Sequence, residues 1–304
     1  MIGGEPAIET TELTQKSHSS RLKRRFRTSM VAMLIALLAA MSATYAWYIY
    51  NTSRRTTNVR MAAGSSVNLQ ISNQYDTNYG SAAVLDSFTG WLAPVSTNRI
   101  SGGFQKVSQF TAGGNTRQGM VASAFESSNT NDYYKTKLYL RTNGDLTDIY
   151  LSDIHADDSD VNNPISTAIR VGLVVHSPGN GTAPVGEYIF AINEAKNPEA
   201  EYNTATGEEG YVLDSSRTDG TTVLFQPYTS DAYCIYNQNT GEVTLKPGSL
   251  RLCTVSGNGS GKAGTPVEIE IYIWLEGCDE DCTANLNNET LKNLAISFAG
   301  VEQK

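Results

Sequence analysis

Strict alternation of apolar and polar side chains over residues 267–275 is the feature that most limits what this chain can fold into. A period of two is typical of a β-strand, because successive side chains leave opposite faces of the sheet. One face of this predicted strand is aliphatic and consists of Val267, Ile269, Ile271, Ile273 and Leu275. The other face is polar and aromatic and consists of Glu268, Glu270, Tyr272 and Trp274.

Shorter apolar runs recur along the chain, separated by Gly, Asn, Asp and Pro. Alternation over residues 67–71 predicts a half-buried strand, and the dense run over residues 168–175 predicts a strand buried on both faces. The turn residues Lys246-Pro247-Gly248-Ser249 predict a hairpin between residues 243–245 and 250–255. We therefore predict an all-β fold, an antiparallel β-sandwich of jelly-roll type, as one domain over residues 67–304.

A single uncharged segment of 21 residues begins at Met30 and ends at Tyr50. About 20 apolar residues are enough to span a bilayer as a helix. Basic residues crowd into residues 21–27, so the positive-inside rule places the basic tail, residues 1–29, in the cytosol. We predict one N-terminal hydrophobic helix over residues 30–50 that contacts the membrane, followed by a polar stalk or donor segment over residues 51–66.

The same segment also has the features of a signal peptide: a basic lead, a core rich in Leu, Ala and Met, and then small residues. Thr44, Ala46 and Trp47 mark the candidate cleavage site, with Ala46 as the last residue removed. A retained anchor is the alternative, since aromatic residues cluster at the outer end of the segment, as in an interfacial belt. Both readings place the body outside the cytosol, either secreted or on the cell surface.

Four cysteines agree with an extracytoplasmic location, because disulfides persist in oxidising compartments. All of them lie late in the chain, at Cys234, Cys253, Cys278 and Cys282. Four cysteines allow three pairings, and sequence alone leaves the choice open. Proximity in the sequence favours Cys278 with Cys282 and Cys234 with Cys253.

The net charge argues against a nucleic-acid-binding protein, and the spacing of the histidines argues against a zinc protease. The net charge is −8 although the N-terminal tail is basic, so the body is acidic and unsuited to nucleic acid. Neither His155 nor His176 has the His-Glu-x-x-His spacing of a zinc protease. We predict a non-enzymatic protein; a secreted hydrolase that uses one of these histidines is an alternative.

Calcium is the cofactor that the sequence suggests. Asp157, Asp158 and Asp160 form an acidic group, and hard cations take several carboxylate oxygens. The group lacks the residue order of an EF-hand, so a solvated loop is the alternative reading.

Both ends of the chain resemble TasA/camelysin-like exported surface proteins of Gram-positive bacteria. The resemblance rests on Thr44-Tyr45-Ala46-Trp47, the Asn- and Thr-rich residues 51–58, Ala63-Gly64, and the Trp-Leu-Glu-Gly-Cys strand end at residues 274–278. It leaves the middle of the chain unmatched. It implies a jelly-roll-like sandwich, export with a dedicated signal peptidase, and a place on the cell surface or in biofilm matrix fibres.

In fibre-forming members of that family, the freed N-terminal segment pairs as a strand with the next subunit. The resemblance therefore implies self-assembly, with residues 47–62 as donor and Val59 and Met61 among its apolar contacts. Protease activity is not carried over, because the sequence offers no metal triad. A membrane-tethered module that binds glycans or another ligand through Trp91 or the Tyr133-Tyr134 pair is the alternative function.

Overall fold

The computed structural model describes residues 29, 30, 33, 63–64, 69–85, 92–107, 132–158, 162, 164–193, 211–217, 219, 221–279, 281–282, 286 and 291–303. The chain divides into two compact units, residues 1–54 and residues 55–304. In the first unit the described residues Ser29, Met30 and Met33 are helical. The second unit is built from strands and short 3-10 turns, which confirms the prediction of an all-β fold.

Fifteen strands are described in the second unit. In chain order they are β1 (Ala63–Gly64), β2 (Leu69–Ser72), β3 (Pro94–Ser96), β4 (Gln105–Lys106), β5 (Tyr134–Thr142), β6 (Thr147–Asp158), β7 (Ile169–Pro178), β8 (Pro184–Ala191), β9 (Tyr211–Leu213), β10 (Thr222–Leu224), β11 (Ile235–Asn237), β12 (Glu242–Thr244), β13 (Arg251–Val255), β14 (Val267–Glu276) and β15 (Leu291–Glu302). They form a seven-stranded sheet, a four-stranded sheet and two isolated pairs, β9–β10 and β11–β12.

Strand β14 is the centre of the seven-stranded sheet. It pairs antiparallel with β7 on one side and with β5 on the other, and near its end it pairs with β3 in parallel. Strand β2 extends the sheet beyond β5, strand β8 extends it beyond β7, and β4 extends it beyond β3. The β-branched residues of β14 and β7 favour this position, since they pack well on a pleated surface.

The two faces of β14 contact different sets of residues, as its alternation predicts. Ile269 and Ile271 lie in the main core, which also contains residues of the four-stranded sheet. Tyr272 and Trp274 lie in a second buried cluster together with Phe104, whose ring centroid is 5.1 Å from that of Trp274. Strand β7 is buried from Ile169 to His176, which confirms the prediction of a strand buried on both faces.

The four-stranded sheet has the order β1-β15-β6-β13. Strand β15 is antiparallel to β6, whereas the short strand β1 lies parallel to β15. Leu294, Ile296 and Phe298 of β15 belong to the main core, as do Ile149 and Leu151 of β6. One apolar core therefore holds residues of both sheets together.

The predicted hairpin around residues 246–249 is wrong, although its turn is present. The Ser249 amide donates to the Lys246 carbonyl at 3.0 Å, as a turn requires. The strands on either side have other partners, because β12 pairs with β11 and β13 pairs with β6. Burial is consistent with this pairing, because Leu252 and Val255 of β13 lie in the main core together with Ile149 and Leu151 of β6.

Among the described residues, no helix is both long enough and apolar enough to cross a bilayer. The predicted hydrophobic helix, residues 30–50, lies outside the described residues except at Met30 and Met33.

Ile271→Ala tests the role of β14 as the core strand. The side chain is fully buried in the main core, so its truncation is expected to lower the free energy of unfolding by about 2–5 kcal/mol. Ile235→Ala is the matched control, because Ile235 is 54% exposed on β11 and its truncation is expected to cost less than about 1 kcal/mol. Urea unfolding measures both, and equal losses in the two variants would contradict the assignment.

Candidate functional site

One edge of strand β15 pairs with β6 along most of its length, and the described residues pair the other edge only briefly. Towards β6 the register runs from Leu291 opposite Asp158 to Glu302 opposite Thr147. Towards β1 it consists of Ala63 opposite Phe298 and Gly64 opposite Ala299. Within the described part of the chain, most of this second edge of a 12-residue strand therefore has no ladder partner.

The chemistry of this β15 edge suits strand addition. An edge strand presents backbone N–H and C=O groups that another strand can pair with, and proteins commonly block it with proline or several charges. β15 contains no proline, and its charged residues are Lys292 and Glu302, close to its two ends. Register shifts at residues 292–295 and 297–298 partly protect it, while Phe298 to Glu302 pair regularly with β6.

The register of β1 shows which face an added strand would present to the core. Ala63 lies opposite Phe298, and Leu294, Ile296 and Phe298 are at most 1% exposed. Residues directly opposite in a parallel pair point to the same face, so every second residue of a strand along this edge faces the core. The predicted cleavage site (Thr44, Ala46, Trp47) and the donor residues Val59 and Met61 lie outside the described residues.

Among the described residues, neither of the two predicted cysteine pairs is joined in a disulfide. Cys253 lies opposite Ile149 of β6, whereas the Cys234 amide donates to the carbonyl of Leu151 at 2.9 Å. These two positions on β6 are two residues, or about 7 Å, apart along the strand. Burial raises the pKa of Cys234 to about 11 and that of Cys253 to about 12.

Cys278 and Cys282 belong to the turn after β14, which buried polar groups hold in place. Arg170 donates to Asp279 at 2.5 Å, and both side chains are at most 7% exposed. Glu276 accepts hydrogen bonds from the Trp274 indole at 3.1 Å and from the Cys278 amide at 3.2 Å. Burial, together with the charges of Asp279, Glu276 and Cys278, raises the pKa of Cys282, so this closed cluster favours a structural role over thiol chemistry.

The calcium candidates do not converge on a common point in the described structure. Asp157 lies with its carboxylate 3.2 Å from the ring of His155, which is exposed. Asp158 accepts two bonds of 2.7 Å from the amide and hydroxyl of Ser166, so it fixes the 3-10 turn at Ile165–Thr167. Asp160 lies outside the described residues.

The candidate glycan-binding aromatics are only partly visible. Trp91 lies outside the described residues. Tyr134 is 5% exposed, and Tyr133 stacks on Phe104 with ring centroids 4.3 Å apart. Both tyrosines pack against the protein interior and do not form an exposed platform for stacking on a sugar ring.

One cluster was missed by the sequence reasoning. His176 of β7 lies beside Glu268 and Glu270 of β14, on the face of the seven-stranded sheet opposite the main core. The alternation over residues 267–275 places the two glutamates on one face, but nothing in the sequence shows which strand pairs beside them. The proximity of His176 could therefore not be found from sequence spacing.

No family model, no curated protein and no solved structure matches this chain. The proposed function therefore rests on the geometry of the described residues, and the resemblance to TasA/camelysin-like proteins stays a prediction.

Thiol alkylation at pH 8 tests the burial of Cys234 and Cys253. A raised pKa leaves little reactive thiolate at this pH, so native alkylation is expected to be at least about 100-fold slower than in denaturant. Raising the pH from 8 to 9 should speed it about tenfold, since both pKa values lie higher. Peptide mass spectrometry of the reduced protein gives each rate; a native rate for Cys253 equal to the denatured rate contradicts the structure.

Proposed function

We propose that this protein is a non-enzymatic, exported structural protein of a bacterial surface or extracellular matrix, whose subunits join by strand addition along the β15 edge. The observation that supports it most is that edge, which the described chain pairs only at Phe298 and Ala299. A shared core between two sheets is compatible with a jelly-roll-like sandwich, which belongs to the same proposal.

The register of β1 supports residues 47–62 as the donor segment. Continued towards the N-terminus, it would bring Met61 opposite Ile296 and Val59 opposite Leu294. Both partners are fully buried, so the two apolar donor residues would meet the apolar face while Arg60 would point away from it. A slip of one residue would place Arg60 on the core face, which fixes the register.

The donor segment that pairs with these positions on β15 can come from the same chain or from a neighbouring chain. Pairing within one chain gives a monomer with its own edge covered, whereas exchange between chains gives a polymer with the same contacts. In the proposal, cleavage after Ala46 frees the segment for exchange. Before cleavage, residues 30–50 hold the protein in the membrane with its body outside the cytosol.

The double variant Val59→Asp/Met61→Asp tests the donor segment. Two carboxylates on the apolar face of the added strand should abolish polymers and leave a folded monomer. Asn58→Asp/Ala62→Asp is the matched control, because it introduces the same residues on the opposite face and should polymerise normally. Sedimentation velocity and electron microscopy of the protein recovered from cells provide the measurement.

Two results would contradict strand exchange. Fibres from the Val59→Asp/Met61→Asp variant that match the wild type would exclude this register. A wild-type protein that stays monomeric at every concentration would show that the segment covers the edge of its own chain.

The N-terminal residue of the exported protein tests the predicted cleavage. Intact mass and N-terminal sequencing of protein from cells and medium are expected to show a chain that begins at Trp47. Ala46→Lys should block processing, since signal peptidases require a small residue before the cut. An intact chain that begins at Met1 and stays in the membrane fraction would instead establish a permanent anchor.

A further inference from the structure

Three side chains on neighbouring strands converge on one point of the seven-stranded sheet. Glu268 and Glu270 leave the same face of β14, and His176 reaches that face from β7, just beyond a register shift between the two strands. One ligand atom from each of the three lies within 4.8 Å of the other two. The His176 Nε2 atom is 3.8 Å from the Glu270 Oε2 atom.

The orientation of the His176 ring is fixed by a backbone group. Its Nδ1 atom lies 2.6 Å from the carbonyl oxygen of Thr182. A carbonyl oxygen only accepts hydrogen bonds, so Nδ1 carries the proton and donates it. In the neutral ring Nε2 then presents a lone pair, and this atom is buried without a hydrogen-bond partner in a residue that is 8% exposed.

Metal-binding histidines commonly have the same arrangement: one ring nitrogen donates a hydrogen bond to a carbonyl oxygen, and the other binds the metal. An unpartnered lone pair next to a carboxylate oxygen is unfavourable by itself, because two acceptors face each other in a buried place. A cation between His176 Nε2 and Glu270 Oε2 removes that conflict.

The two carboxylates keep oxygen atoms on the side of the histidine. Lys137 contacts Oε1 of Glu268 at 2.6 Å, and Lys135 contacts Oε1 of Glu270 at 3.0 Å. Oε2 of Glu270 accepts from the Tyr272 hydroxyl at 2.8 Å, and the Gly181 amide lies 3.4 Å from Oε2 of Glu268. In Glu270 the oxygen that contacts His176 Nε2 is Oε2, which is not the oxygen that contacts Lys135.

The ammonium groups of the two lysines can move into water, whereas the two carboxylates are held in place. Lys135 and Lys137 have side chains that are 39% and 43% exposed, so their ammonium groups can turn into water at low cost. Glu268 is fully buried and the Glu270 side chain is 14% exposed. A cation that replaces the lysines would meet carboxylates already held by the sheet.

We propose that His176, Glu268 and Glu270 bind a divalent transition-metal cation of the zinc type. One imidazole nitrogen and two carboxylate oxygens form a donor set that zinc accepts, with a fourth position for water. Zinc–ligand bonds of about 2.1 Å at tetrahedral angles place ligand atoms about 3.4 Å apart, so the 3.8 Å separation needs only a small contraction. Magnesium and calcium prefer oxygen-only sites, so they fit this donor set poorly.

A bound cation would join β14 and β7 on the face opposite the main core. This site is separate from the β15 edge, which lies in the four-stranded sheet. The metal proposal can therefore fail while strand addition holds, or the reverse.

The test uses the full-length protein after treatment with a chelator and dialysis. Calorimetric titration with Zn²⁺ is expected to show one site per chain, a higher melting temperature, and no heat with Mg²⁺. His176→Gln and Glu270→Gln should each weaken Zn²⁺ binding at least tenfold. His155→Gln is the matched control, because it removes an exposed imidazole that lies next to a carboxylate on the other sheet and should leave binding unchanged.

Cobalt substitution identifies the donor atoms. Co²⁺ in the proposed site should give the strong visible bands of tetrahedral coordination without thiolate charge-transfer absorption, which excludes the cysteines as ligands. Circular dichroism confirms that each variant is folded, and Glu270→Gln gives the result if His176→Gln does not fold.

Four outcomes overturn the proposal. The first is no Zn²⁺ binding by the wild-type chain. The second is binding of unchanged affinity in Glu270→Gln or His176→Gln, and the third is thiolate absorption with Co²⁺. A His176 ring that carries protons on both nitrogens at neutral pH in the presence of Zn²⁺, seen by NMR, also overturns it, because a proton then occupies the place of the cation.

Discussion

Burial of β14 on both of its faces is the constraint on which the rest of the structure depends. Its aliphatic residues contact the main core, and Glu268 and Trp274 on the opposite face are fully buried as well. A buried carboxylate is tolerated only when charged or hydrogen-bonding partners surround it. The neighbouring elements must therefore supply cations and donors at set positions along β14.

The two ends of β14 meet this requirement in different ways. At its beginning, Lys135 and Lys137 of β5 neutralise the two glutamates while their own side chains remain partly exposed. Burial acts to raise the pKa of Glu270, but hydrogen bonds from Lys135 and Tyr272 and the two lysine charges lower it overall. The carboxylate is therefore charged at neutral pH, and its lysine partners can exchange with another cation.

At the other end of β14 the polar groups are closed to solvent. Burial raises the pKa of Glu276, although bonds from Ser96 and Trp274 and the charge of Arg170 act in the opposite direction. The Arg170–Asp279 pair beside it fixes the turn that leads away from the strand. Replacing Arg170 or Asp279 by another partner is unfavourable, because removing either one leaves the other as an uncompensated buried charge.

Local features of this fold could be predicted from the sequence, whereas its strand partners could not. The two faces of β14 and the full burial of β7 follow from residue period and apolar density, which act within single strands. The hairpin at residues 246–249 failed because β13 gains more by entering the core beside β6 than by pairing with β12. The His176 cluster depends on a register shift between β7 and β14, which no local pattern reports.

The energetics of the β15 edge limit what the proposed donor segment, residues 47–62, would have to contribute. Burying Val59 and Met61 would contribute at most about 6 kcal/mol, whereas association of two chains costs about 4–15 kcal/mol. Two side chains are therefore insufficient alone, and backbone bonds along the rest of the segment must add to them. Because Ala63 and Gly64 already lie on this edge, strand addition by the segment of the same chain would not carry the cost of association. Polymers thus require a segment long enough to reach a neighbour and a high local concentration of subunits, which a cell surface or matrix supplies.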